Sequence, residues 1–211
     1  EGPVTSRRRP PEKTIDFQFA LEVVPMLKEQ GFDGFSQANN HALDQGEAGY
    51  VESVRVLRDA GFTVFGHQVR DDQVALATTT IKGKTFAFLG WNSTDNPIDE
   101  VAASATLREA RAQADYVIAV LHWGAEYQDR PLHSVVDFSH WLIDHGVDVV
   151  LGGHPHWVQG IYSYRGRPIL YSLGNFVFDQ DWSRETKQGL AVGVTFSDRD
   201  LIVTPFPVTI P

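Results

Sequence analysis

Two short apolar runs, Tyr116–Leu121 and Val147–Leu151, constrain the fold more than any other feature of this chain. Each follows a stretch of helical periodicity, and successive apolar residues are typical of strands that are buried on both faces, as in parallel sheets. Helices and strands alternate over the first two thirds of the chain, and strands joined by short turns fill the last third. This order predicts an α/β layered fold whose sheet is completed by hairpins.

Start and stop signals predict the bounds of the individual elements. Helices are expected over residues 22–30, 44–60, 99–113 and 132–145. Strands are expected over residues 32–36, 63–66, 74–80, 85–91, 116–121, 147–151, 158–164, 168–173, 190–196 and 201–207. Asp44-Gln45-Gly46-Glu47 has the spacing of a capping box, with Asp44 as the N-cap of the second helix. No composition break divides the chain, so we predict a single domain over residues 1–211.

Composition excludes several classes of function. The net charge of −9 argues against nucleic acid as the main partner. The absence of cysteine excludes disulfides, thiolate metal sites and thiol catalysis. No signal peptide or membrane-spanning apolar stretch is visible, and a chain that begins at Glu1 without methionine is typical of a fragment or a processed protein.

Polar clusters follow three of the predicted strands: Asn39-Asn40-His41, His122 and His154-Pro155-His156. In open α/β sheets the carboxyl ends of the strands form the edge at which ligands bind, so we expect the clusters to converge. An asparagine oxygen with several imidazole nitrogens suits Zn, Mn, Fe or Ni. A lone histidine after a strand, such as His122, is more often a structural residue than a ligand, and it is the grouping of the three clusters that favours a metal site.

Four motifs in order resemble the CapA family of bacterial capsule, or poly-γ-glutamate, synthesis proteins: Ala38–Asp44, His122–Tyr127, Gly153–His156 and Tyr171–Asp179. The resemblance covers essentially the whole chain. It implies the fold of the calcineurin-like metallophosphatases, a layered α-β-β-α sandwich. The first strand and the Gly-Asp metal motif of the family precede the position of Glu1, so the resemblance implies an N-terminally incomplete domain.

The resemblance also implies roles for individual residues. His41 would act as the acid that contacts the substrate. By their positions beside a motif and after a strand end, Trp123 and Asn175 could contact the substrate as well. Core packing is the alternative for Trp123, and a structural turn is the alternative for Asn175. The implied ligands of one or two Mn, Fe or Zn ions are Asn40, His122, His154, His156 and Glu1.

Metal-dependent hydrolysis of a phosphoester or related bond is the function that the resemblance favours, and amide hydrolysis or transfer stays open. The alternatives are a non-catalytic assembly factor for capsule polymer synthesis or export, and a carbohydrate- or peptide-binding module that uses the tryptophans. The implied partners are a small-molecule or polymer substrate and other capsule-synthesis membrane proteins, in an extracytoplasmic or membrane-associated location. Three further carboxylates could approach a metal or be solvated loop residues: Glu126, Asp179 and Asp181.

Overall fold

A computed structural model describes residues 1–66, 76–197 and 200–211 of the chain. The chain divides into two compact units, Glu1–Tyr116 and Val117–Pro211. The order of elements confirms the predicted alternation of helices and strands, followed by strands alone. The first two residues of the strand predicted over 74–80 lie outside the described residues. The prediction of one domain over residues 1–211 stays a prediction.

The described part of the first unit contains three helices and two pairs of strands. In chain order these are α1 Val23–Glu29, β1 Gly34–Ser36, α2 Gly46–Asp59, β2 Thr63–Phe65, β3 Leu76–Ile81, β4 Lys84–Asn92 and α3 Glu100–Gln113. β1 and β2 pair in parallel, and β3 and β4 form an antiparallel hairpin. The hairpin turns at Lys82-Gly83, where both residues have positive φ, a conformation that glycine adopts without steric cost.

Helix α2 is held in the first unit by its apolar face. Tyr50, Val54 and Leu57 recur at helical spacing and are at most 7% exposed. They belong to the same core cluster as Phe62 and Val64. Burial of a large apolar side chain contributes about 1.5–3 kcal/mol, so packing rather than capping supplies most of the stability of this helix.

The predicted capping box at Asp44 is wrong. Helix α2 begins at Gly46 with Gln45 at the N-cap position, and no side-chain hydrogen bond caps it. The Asp44 carboxylate instead accepts a hydrogen bond from the backbone N–H of Phe17 at 2.8 Å and lies 2.7 Å from Nδ1 of His41. Tertiary contacts therefore engage a carboxylate that local spacing assigns to the helix N-terminus.

The N-terminal segment is attached to helix α2 through Glu52. The Glu52 carboxylate accepts hydrogen bonds from the Thr5 hydroxyl and from the hydroxyl and backbone N–H of Ser6, and it lies 3.8 Å from the Arg7 guanidinium. The hydrogen bond from Thr5 is the largest of the interactions that lower the pKa of Glu52 below its ordinary value. The first residues of the chain are thus bound to the unit by an ionised carboxylate.

The described part of the second unit is richer in strands. Its elements are β5 Tyr116–His122, which begins at the last residue of the first unit, α4 His133–Asp144, β6 Val149–Gly153, β7 Ile161–Tyr164, β8 Arg167–Leu170, β9 Gln188–Phe196 and β10 Leu201–Thr209. β5, β6, β8 and β7 lie side by side in that order. The first three are parallel, β7 is antiparallel to β8, and β9 and β10 form a separate hairpin.

Strands β5 and β6 are buried on both faces, as the two apolar runs predict. Val117 and Ala119 in β5 and Val149 and Val150 in β6 are fully buried. Because successive residues of a strand point to opposite faces, burial of neighbours such as Val149 and Val150 shows that both faces are covered. The parallel register pairs His122 with Gly153, so the two strands end at the same edge. None of the helices in the described ranges combines the length and the hydropathy that crossing a membrane requires.

Candidate functional site

The first candidate cluster, Asn39-Asn40-His41, follows strand β1 in the first unit. The side-chain oxygen of Asn39 accepts a hydrogen bond from the backbone N–H of His41 at 3.0 Å, an Asx turn of the kind that asparagine favours. Asn39 is buried, whereas Asn40 and His41 are partly exposed. Asn39 therefore shapes the turn, and the two residues after it are the ones available for chemistry.

The His41 ring is held by a buried carboxylate. Nδ1 lies 2.7 Å from Oδ2 of Asp44, whose side chain is fully buried. The Phe17 ring packs edge-on against the imidazole, with the ring centroids 4.5 Å apart. A carboxylate in this position makes Nδ1 a proton donor and leaves Nε2 as the nitrogen that can exchange a proton with a substrate.

Lys13 connects the carboxylate behind His41 to Asn40. Its ammonium lies 3.2 Å from Oδ1 of Asp44 and donates a hydrogen bond to the backbone carbonyl of Asn40 at 2.6 Å. Sequence reasoning assigned neither Asp44 nor Lys13 a role at the site. The spacing of His41 and Asp44 is the signal that could have found the carboxylate, because side chains three residues apart can meet across one turn.

The second candidate cluster lies in the second unit, where β5 and β6 end side by side. His122 is the last residue of β5 and is 7% exposed, and His154 follows β6 directly. Their imidazole centroids are 4.8 Å apart. The backbone N–H of Trp123 donates to the carbonyl of Gly153 at 3.2 Å, which continues the pairing past the strand ends. The parallel register therefore brings these two imidazoles together.

The turn that carries His154 and His156 has a strained backbone. φ is +96° at His154 and +60° at His156, and it is +58° at Tyr127. Side chains with a Cβ rarely adopt positive φ, and each such residue costs on the order of 1–3 kcal/mol. The backbone N–H of Tyr127 donates to the carbonyl of Pro155 at 2.9 Å, which ties the two strained segments together. Strained residues of this kind cluster at functional sites.

His156 is buried and makes a specific hydrogen bond. Its Nδ1 lies 2.8 Å from Oδ1 of Asn175. The aromatic rings of Tyr127 and Phe178 flank the imidazole, at centroid distances of 5.8 and 5.1 Å. Oε1 of Glu126 lies 4.0 Å from Nε2 of His156, so a carboxylate faces the nitrogen that Asn175 does not contact.

The residues predicted to contact substrate are both buried. Trp123 is 1% exposed, and its indole N–H donates to the carbonyl of Tyr171 at 2.9 Å, so it packs in the core of the second unit and its contact with a substrate stays a prediction. Asn175 is 5% exposed and bonds to His156. Trp182 is 61% exposed and packs edge-on against Tyr127, with the ring centroids 5.9 Å apart, so an approaching ligand could reach it. Three other carboxylates that the sequence analysis considered near a metal are exposed: Glu1, Asp179 and Asp181.

The side chains predicted as metal ligands fit a divalent transition metal in part. The imidazoles of His122 and His154 have the chemistry of Zn, Mn or Fe ligands and lie side by side. Within the described ranges, no group of three or more His, Cys, Asp or Glu side chains is placed so that it could hold a metal ion. The pair therefore supplies two ligands, and metal binding by Asn40, His156 and Glu1 stays a prediction, as does the convergence of the clusters.

The fold is similar to that of a Staphylococcus aureus protein provisionally assigned as a 5′-nucleotidase. That structure superimposes on this one with a TM-score of 0.61 at 12% sequence identity, and the match covers 90% of this chain and 40% of that chain. At this identity the likeness shows the fold alone. The chain has the α/β fold of the calcineurin-like metallophosphatases, as the family resemblance implies.

Sequence comparison identifies the family to which the chain belongs. Residues 1–180 match the family described as bacterial capsule synthesis protein PGA_cap, and the chain belongs to that family. It is 31% identical over 207 residues to the PGA biosynthesis protein CapA of Bacillus subtilis (strain 168), covering 90% of this chain and 54% of that protein. It is 28% identical over 197 residues to the capsule biosynthesis protein CapA of Bacillus anthracis, covering 85% and 48%. The chain thus spans about half the length of the curated relatives it matches.

Proposed function

We propose that this chain is the metallophosphatase-type part of a capsule (poly-γ-glutamate) biosynthesis protein and hydrolyses a phosphoester or related bond with the help of a divalent transition metal. The observation that carries the proposal is the pair of imidazoles, His122 and His154, brought to 4.8 Å at the ends of two parallel strands. The family match and the phosphatase-type fold support it. Zn, Mn and Fe are the candidate ions, in one or two copies.

His122 and His154 would supply two of the metal ligands. His122 is buried at the end of β5, and His154 follows β6 directly, at a position where φ is +96°, so the ends of two adjacent strands carry both rings. Lewis acidity toward water and toward a phosphoester oxygen is the chemistry that such a cation supplies when bound. The chain itself holds the two imidazoles in place, since both residues stand at the ends of strands that are buried on both faces.

His41 would donate a proton to the leaving group. Its Nδ1 is engaged by Asp44 at 2.7 Å, so Nε2 is the atom that exchanges the proton. Asp44 keeps the ring in one orientation, and Lys13 and the Phe17 N–H hold Asp44 in place. A positioned acid of this kind typically contributes about 10²–10⁴-fold in rate.

The substrate is proposed to be an anionic small molecule or polymer of capsule synthesis, in keeping with the names of the relatives. A bound cation would reverse the local field of a chain whose net charge is −9. Other capsule-synthesis membrane proteins are the proposed partners, with the protein working outside the cytoplasm or at the membrane.

Metal analysis and turnover of the purified full-length protein test the proposal. We expect bound Zn, Mn or Fe by mass spectrometry, together with hydrolysis of p-nitrophenyl phosphate, bis(p-nitrophenyl) phosphate or nucleoside 5′-monophosphates. His122→Ala and His154→Ala should lose metal and turnover together. His41→Ala should keep the metal and lower kcat by about 10²–10⁴-fold.

His133→Ala is the matched control, because His133 is an exposed histidine of the same unit at the start of α4. It should keep both metal and turnover. A full-length protein with no transition metal, whose turnover is indifferent to His122→Ala and His154→Ala, would contradict the proposal. A metal-loaded protein with no turnover of phosphoesters or γ-glutamyl peptides would favour the non-catalytic assembly factor instead.

A further inference from the structure

We propose that Asn175 is a positioning residue that holds His156 in the tautomer with a proton on Nδ1 and a lone pair on Nε2. The contact that carries the proposal is the 2.8 Å hydrogen bond between Nδ1 of His156 and Oδ1 of Asn175. Only the identity of what Nε2 then binds rests on the proposed function. The tautomer itself is a property of the chain.

The orientation of the Asn175 amide follows from its other partners. Its Nδ2 donates to the backbone carbonyl of Thr186 at 2.8 Å. A backbone carbonyl can only accept, so the amide atom that faces Thr186 must be the NH₂ group. The same group donates to Oε1 of Gln180 at 3.2 Å. The remaining amide atom, which faces His156, is therefore an oxygen, and His156 must donate to it from Nδ1.

Burial leaves this network without competition from water. Asn175 is 5% exposed and His156 is 6% exposed, while Gln180 is 6% exposed and Thr186 is fully buried. Gln180 extends the network by donating to the hydroxyl of Tyr127 at 3.4 Å, and the Tyr127 ring in turn stacks on the His156 imidazole. The residues that orient His156 are thus linked to one another through hydrogen bonds and ring contacts.

Two glycines allow the backbone to place Asn175. Gly174 has φ of +66°, and a Cβ on Gly189 would lie 1.7 Å from the backbone carbonyl oxygen of Asn175. A side chain at Gly189 would force the backbone of Asn175 or of Gly189 to move. The close approach of these two backbones therefore helps to place the Asn175 amide beside His156.

With Nδ1 donating to an amide oxygen, Nε2 is left as an acceptor or a metal ligand. Histidine ligands in metal sites characteristically donate their other ring nitrogen to a carbonyl or carboxylate, which sets the tautomer and the ring direction. The Glu126 carboxylate, 4.0 Å from Nε2, adds a negative charge on the same side. Asn175 thus prepares His156 to bind a cation, a role that the sequence did not indicate, and contact of Asn175 with a substrate stays a prediction.

Nitrogen NMR of the metal-free full-length protein tests the tautomer directly. Long-range ¹H–¹⁵N correlation spectra near pH 9, where imidazole side chains are neutral, should show the Nδ1–H form for His156. Asn175→Leu removes the acceptor and should shift His156 toward the Nε2–H form. Asn175→Asp keeps an oxygen facing Nδ1 and should retain the Nδ1–H form. Ser139→Ala is the control, because Ser139 is a buried polar residue that bonds to Val136 and Tyr171 and, among the residues that the structure describes, to no histidine.

Zn²⁺ affinity measured by calorimetry is the second readout. Asn175→Leu should weaken Zn²⁺ binding by about 10–100-fold, the usual effect of losing a partner that orients a ligand, and Ser139→Ala should not. An Nε2–H tautomer in the wild-type protein would overturn the proposal even if no variant folds, and so would an unchanged tautomer in Asn175→Leu. A wild-type protein with the Nδ1–H tautomer that binds none of Zn²⁺, Mn²⁺ and Fe²⁺ would refute the proposed function and leave the role of Asn175 standing.

Discussion

Gly152 lies at a point in strand β6 where the second unit leaves no room for a side chain. A Cβ there would lie 2.0 Å from the backbone carbonyl oxygen of Tyr171 and 2.4 Å from Nε1 of Trp123. These two atoms are joined to each other by a 2.9 Å hydrogen bond. Gly152→Ala therefore forces the strand, the tryptophan or both to move, and it separates the indole N–H from its acceptor.

The size of the effect follows from these contacts. Forcing an extra methyl group into a packed interior costs about 1–3 kcal/mol. Leaving a buried donor without its partner costs about 1–3 kcal/mol more, and Trp123 is only 1% exposed. The sum is a loss of about 2–6 kcal/mol in the free energy of unfolding. For a chain of this size each kcal/mol lowers Tm by about 2–4 °C, so Tm should fall by about 4–24 °C.

Gly153→Ala is a matched control one residue further along the strand. A Cβ on Gly153 would have no heavy atom within 4 Å, so this variant should stay within about 1 kcal/mol of the wild type. The stabilities of both variants are measured by thermal and urea denaturation, followed by circular dichroism and by the near-ultraviolet signal of the tryptophans. Equal stabilities of the two variants would show that the close approach of Trp123 and Tyr171 to β6 does not exist as described.

Two further variants test the first unit. Asp44→Asn keeps an acceptor for the Phe17 N–H but removes the charge that faces His41. It should lower kcat by about 10–100-fold and stability by about 1–2 kcal/mol, and wild-type kinetics would argue against the positioning role of Asp44. Glu52 has a lowered pKa, so the unfolded chain takes up its proton at a higher pH than the folded chain does. Its stabilising contribution is present at neutral pH and is lost as pH falls below about 5 through the folded pKa. In Glu52→Gln the free energy of unfolding, measured by urea denaturation at a series of pH values, should therefore fall less steeply toward acid pH than in the wild type. An unchanged fall would rule out this contribution.

The succession of elements could be read from the sequence because it depends on local patterns. Helical periodicity predicts α2 and α3 to within a few residues, and the apolar runs predict β5 and β6. The ends of those two strands then predict where His122 and His154 lie. This inference succeeds because adjacent parallel strands finish at a common edge, whatever the details of packing.

Roles that depend on distant partners could not be read in the same way. Asp44 has the spacing of a helix cap, but Phe17, which lies 27 residues earlier, and His41 engage its carboxylate. Trp123 stands beside a motif and could line a site, but its indole is directed to a carbonyl 48 residues away. In both cases a long-range hydrogen bond in a buried place outweighs a local preference worth about 1 kcal/mol.

The sequence by itself determined the α/β class, the order of the elements and the placing of histidines at strand ends, because each of these follows from short-range periodicity and from the directions of parallel strands. Only the tertiary structure decided which partner orients each imidazole: Asp44 for His41 and Asn175 for His156. The physical reason is that a buried polar group must find a hydrogen-bonding partner wherever the folded chain provides one, and spacing along the sequence does not record that choice.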